Sequence, residues 1–105
     1  MHPSDKQLRQ ARFWKKLLRL TRGRVTVLRA FDVIGAEEPD SPFRAVLTAL
    51  RRDLDAGLAL SEALRKQAPE FSMSVVELIR TAEATGAWDE ILQEIADGLS
   101  DGTFD

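Results

Sequence analysis

Apolar side chains recur at three- and four-residue intervals along most of this chain, and no run of alternating β-branched residues interrupts them. That period is helical. Ser4 followed by Gln7 has the composition of a capping box, and the pattern it opens runs to about Thr21. At 100° per residue, Phe13, Trp14, Leu17, Leu18 and Leu20 cover one side of this first helix, while Arg9, Arg12, Lys15, Lys16 and Arg19 cover the other. Gly23 is its natural stop.

A second helix is predicted from about Arg24 to Ile34, ended by Gly35, with GAEEPD as a loop. Ser41 then reads as an N-cap and Pro42 as the first helical residue, where the missing N–H of proline costs nothing. The third helix carries Phe43, Val46, Leu47, Leu50 and Leu54 on one stripe and closes at Gly57. Ser61 is placed to cap a short fourth helix that stops near Gln67 because Pro69 follows. Ser72, Val75, Val76, Ile79 and Ala82 predict a fifth, ended by Gly86; Trp88, Ile91, Leu92, Ile95 and Leu99 predict a sixth. Helix, glycine, helix occurs three times, around Gly23, Gly57 and Gly86. The expected fold is an all-α six-helix bundle built from three antiparallel helical hairpins, one domain over residues 1–105 with 1–4 and 100–105 flexible. The glycine spacings of 34 and 29 residues also touch the period of tetratricopeptide arrays, but the second interval breaks it and the aromatic and proline positions of that repeat are missing.

Composition removes several classes of chemistry. The chain has no cysteine, hence no disulfide or thiolate metal site, and one histidine, His2, close to the N-terminus. No segment approaches the ~20 apolar residues of a membrane helix. The polar start MHPSDKQLRQ has no apolar signal region, so the expected location is cytoplasmic or at the cytoplasmic face of a membrane. Charge is unevenly spread: residues 1–31 hold nine bases and one acid, residues 32–105 six bases and sixteen acids. Such asymmetry points to a partner, or to one half of the chain embracing the other.

The stretch AEATGAWDEIL, Ala82 to Leu92, concentrates carboxylates around a glycine. Glu83 falls in the last turn of the fifth helix, where a negative charge opposes the helix dipole. Compensation is expected from N–H groups at a neighbouring helix start, or from Arg80 or Arg51; a calcium-like site with Asp89 or Glu90 is the sharper alternative, without any calcium-loop spacing to support it. Asp89 and Glu90 suit the first turn of the last helix. No paired carboxylates in a pocket, phosphate-binding glycine loop or nucleophile motif is found, so no enzyme, cofactor or metal is expected. The basic face of Arg9, Arg12, Lys16 and Arg19 is the expected partner-binding surface, for an acidic protein or, peripherally, for anionic lipid. Nucleic acid is disfavoured by the acidic remainder. Trp88, just past a corner, belongs to the core or to an interface, and the Gly57 and Gly86 corners are expected to leave apolar surface at one end of the bundle.

Read continuously, Gly57, Leu60, Ser61, Ala63, Leu64, Pro69, Phe71, Val75, Val76, Glu83, Thr85, Gly86, Asp89, Leu92 and Ala96 reproduce an ordered pattern. It resembles the cytoplasmic domain of the inner-membrane platform proteins of type II secretion systems and type IV pili, and extends more weakly upstream to about Phe13. Ala82 stands where that family has glycine, and Trp88 where it has leucine. The resemblance implies a non-enzymatic assembly module that links the secretion or pilus ATPase to other inner-membrane platform components, leans towards a homodimer, and implies membrane helices and usually a second copy of the domain in family members. This stretch would then be an excised domain or a freestanding relative. The rivals are a freestanding tetratricopeptide-like adaptor with an open peptide groove and a peripheral membrane-binding regulator.

Overall fold

A computed structural model describes residues 2–104. Six helices follow one another, α1 (Asp5–Arg22), α2 (Val27–Glu37), α3 (Ser41–Asp55), α4 (Leu60–Lys66), α5 (Met73–Thr85) and α6 (Trp88–Ser100), with no strand among the described residues. Each helix packs on its neighbours in chain order, and α1 closes the circuit with the broadest contact of all, against α6. An open repeat array would hold its first and last helices apart. The tetratricopeptide-like reading therefore fails on the α1–α6 contact.

The helix ends follow local chemistry. Ser4 and Gln7 form the reciprocal capping box at α1. At the far end of α1 the left-handed residue is Arg24, with φ 67°, and not Gly23. The Arg24 N–H donates to the Thr21 carbonyl and the Val25 N–H to the Leu20 carbonyl, the paired bonds of a Schellman ending. Gly57, with φ 99°, ends α3 in the same way through Leu54 and Asp53. Gly86, with φ 80°, ends α5 by donating to the Ala82 carbonyl.

Three predicted boundaries are corrected. Gly35 does not end α2, which begins after the Thr26 cap and runs to Glu37. Glu38 then turns extended, as the residue before Pro39 must. At α3 the cap is Asp40, whose carboxylate accepts from the Phe43 N–H, and Ser41 is already helical. At α4 the N-cap is Ala59, which has no side chain to offer, and Ser61 lies inside the helix. Within the tails expected to be flexible, several groups make hydrogen bonds. Ser4 caps α1, Ser100 is helical, and the Phe104 N–H donates to the Gly98 carbonyl while Gln7 Nε2 donates to the Phe104 carbonyl. Residues 1 and 105 of those expected tails lie outside the described residues.

The core lies between the helices. Phe13 meets Trp14, Phe31 and Phe43 edge-on at 4.8, 5.5 and 6.1 Å between ring centroids, and Phe71 reaches Trp14 at 6.2 Å. Edge-on aromatic pairs of this kind add about 0.5–1.5 kcal/mol each beyond their buried area. Val75, Val76, Ile79, Ile95 and Leu99 are fully buried from the α5 and α6 side.

Candidate functional site

The two ends of this bundle are built from different chemistry. At one, the start of α1 meets the α2–α3 and α4–α5 links and the C-terminal segment through polar side chains. Gln10 is buried and donates to the Glu70 carbonyl at 2.6 Å and carboxylate at 2.8 Å. Lys6 Nζ donates to the Pro69 carbonyl at 3.2 Å. Arg9 lies 3.8 Å from Glu70 and 3.9 Å from Asp40, its guanidinium 5.3 Å from the centre of the Phe43 ring. Farther along α1, Arg12 approaches the buried Glu38 at 3.6 Å and Lys16 approaches Glu37 at 3.3 Å.

Three of the four bases expected to bind a partner thus already face acids of their own chain. The charge asymmetry of the sequence is in good part an internal embrace. Arg19 is exposed and has no acid oxygen within 4 Å among the described residues.

At the other end the three corners come together. Leu17 and Thr21 from α1, Val27 and Leu28 from α2, Leu54, Ala59, Leu60, and then Glu83, Trp88, Asp89 and Leu92 line a cleft of about 630 Å³. Its walls are mostly apolar, Val27 is 43 % exposed, and the charged side chains in the lining are both acidic. Apolar surface of this kind around polar edges marks a contact site more often than scattered exposed residues do. The sequence located the Gly57 and Gly86 corners as the source of such a surface; it did not bring in the Gly23 corner, which supplies Val27 and Leu28.

Glu83 is the polar hinge of this end. Its carboxylate accepts from the Ser61 N–H at 2.9 Å and from the Ser61 hydroxyl at 2.6 Å. Because Ala59 cannot cap α4, a side chain from α5 performs that task across the bundle. Asp89 lies 3.5 Å from Arg22, and Arg51 and Arg80 pair with Asp32 and Glu77 in place of Glu83. Gly57 and Gly86 shape two of the corners, and Phe71 fills the core at the opposite end beside the exposed Pro69, whose peptide with Ala68 is cis. The motif residues therefore divide between the ends: Gly57, Ser61, Glu83 and Gly86 at the cleft, Pro69 and Phe71 at the polar clasp.

Among the described residues, no three His, Asp or Glu side chains are placed to hold a metal ion, and no helix is long and apolar enough to cross a membrane. The fold and its open surface define a small helical module whose accessible feature is an apolar end. Residues 13–102 match the family model described as type II secretion system (T2SS), protein F, and the chain belongs to that family. It is 33 % identical over 86 residues to the type 4 fimbrial assembly protein PilC of Pseudomonas putida, covering 82 % of this chain and 21 % of that protein. It is 34 % identical over 87 residues to the type IV pilus assembly protein PilC of Thermus thermophilus, covering 83 % and 21 %. With the type II secretion system protein F of Xanthomonas campestris pv. campestris it shares 32 % over 71 residues, covering 68 % and 18 %. The chain spans about a fifth of the length of these relatives.

Proposed function

We propose that this chain is a non-enzymatic assembly module on the cytoplasmic side of the inner-membrane platform of a type II secretion or type IV pilus machine. In this reading it joins the assembly ATPase to the membrane complex. The observation that carries it is the apolar cleft where three helix corners meet, in a chain of the T2SS protein F family. Three antiparallel hairpins are the mechanical unit, a reading supported by the segregation of corners and links to opposite ends. A closed ring clasped at one end resists shear and transmits displacement without chemistry of its own.

The occupant of the cleft is a helix of the ATPase. Helix-in-groove recognition uses apolar anchors at helical spacing, which the mostly apolar lining of the cleft suits. Retention of a purified secretion-type assembly ATPase on the immobilised chain tests this. Val27→Asp sits at the first helical position of α2, exposed and favourable to an acid, so it spoils the cleft while sparing the fold. The expected result is retention by the native chain and at least tenfold weaker retention by V27D, the size of one lost interface anchor. Absence of retention, or retention indifferent to V27D, contradicts the reading. The homodimer suggested by the sequence must use another face, so V27D leaves the sedimentation coefficient unchanged; a dimer dissociated by V27D assigns the cleft to a second copy and overturns the proposal.

A further inference from the structure

The exterior of α1 is a charged row that the core does not use and that meets the cleft only at Arg22, beside Asp89. On an 18-residue helix, Leu8, Arg12, Lys15, Arg19 and Arg22 fall within about 80° of one another at 100° per residue. All five are exposed. The buried side chains Gln10, Phe13, Trp14 and Leu17 occupy the opposite side. Arg12 and Arg22 lean towards Glu38 and Asp89 at 3.6 and 3.5 Å. Lys15 and Arg19, in the middle of the row, have no acid oxygen within 4 Å among the described residues, and neither has Arg24, exposed in the corner that ends it. The single acid of the helix, Asp5, is ten residues from Lys15, about 15 Å along the axis.

We propose that this row lies against an anionic phospholipid surface and sets the orientation of the domain on the membrane. The shape of the feature selects that occupant. None of the five side chains of the row lines the clefts at the corners, beside α4 or between α2 and α3, so the row offers a convex line of cations. Repeated, laterally mobile headgroups satisfy such a line without requiring a fixed register. Charge on the rest of the molecule has the opposite sign, with sixteen acids against six bases in residues 32–105. An anionic plane therefore attracts one side and repels the other, which orients the approach.

Contact is electrostatic and not insertional. Phe13 and Trp14, the aromatic side chains that would enter a lipid interface, are 1 % and 0 % exposed in the core. Leu8 is the lone large apolar side chain on the row. Binding must accordingly fall steeply with salt, because the Debye length shrinks from about 10 Å at 0.1 M to about 3 Å at 1 M. The inference stands on charge geometry and is independent of the ATPase reading, since Val27 lies on α2.

Vesicle co-sedimentation of the 105-residue chain tests it, with phosphatidylcholine vesicles set against phosphatidylcholine containing about a third phosphatidylglycerol, a typical anionic surface. The expected result is binding to the anionic vesicles alone, at low salt, lost near 0.5 M salt. Lys15→Gln with Arg19→Gln lowers the partition about 25-fold, about fivefold per cation removed, while helical circular dichroism is unchanged because neither side chain pairs with an acid among the described residues. Failure to bind anionic vesicles at low salt overturns the proposal, as does salt-resistant binding or binding indifferent to the double variant. A polyglutamate column is the arm for an acidic protein partner: retention there without anionic vesicle binding assigns the row to protein and overturns the lipid proposal.

Discussion

A carboxylate in the last turn of a helix opposes the dipole of that helix, and Glu83 occupies such a place because it serves the start of another. Removing it leaves the Ser61 N–H without its acceptor at a helix that has no capping side chain. Glu83→Ala should cost about 1–2 kcal/mol, the usual value of a lost N-cap, read as a lower urea midpoint at unchanged slope. Ser61→Ala should be strongly non-additive with it in a double-mutant cycle; additive costs would show that the pair is incidental. Backbone signs separate the corner residues. Gly86→Ala forces a side chain into φ 80° and should destabilise by about 1 kcal/mol. Gly35→Ala, in the last turn of α2 with open space at its Cβ, should stabilise by about 0.5 kcal/mol. Thermal melts of the two variants moving in the same direction would contradict these backbone assignments.

Among the elements, α1 carries the most: its apolar side closes on α6, its N-terminal half clasps two links, and its outer row is exposed, with Lys15 and Arg19 at its middle facing no acid among the described residues. Helices, the cap at Ser4 and the turn at Gly86 were legible in sequence because each is decided within four or five residues. The closure of α1 on α6 was not, because both stripes are compatible with any apolar neighbour and only the whole ring selects one. The same distinction explains the basic face. Periodicity places Arg9, Arg12 and Lys16 on one side of a helix, but whether Glu37, Glu38, Asp40 and Glu70 fold over them depends on where distant links travel. Gly98 carried a signal that was missed: a glycine within a helix leaves room for something large, here the Phe104 ring, which a Cβ at that position would meet at 2.5 Å. Gly98→Ala should therefore displace residues 101–104, seen as faster amide exchange at Phe104, whose N–H donates to the Gly98 carbonyl. Unchanged protection there would contradict that packing.

At the scale of the whole molecule, polar clasp and apolar cleft divide the labour. Under the proposed function, the clasp fixes the ring, so that force applied at one surface would displace the unit as a body, and the cleft would leave the three corners available to a partner. Charge is divided as well, with a cationic row along α1 and acids dominating the later part of the chain. The most direct test is an amide chemical-shift map of the labelled chain as purified assembly ATPase is added. Shifts are expected at the three corners, residues 21–28, 54–60 and 83–92, with the Phe71 region still. Shifts confined to the clasp end, or none at saturating ATPase, would contradict it.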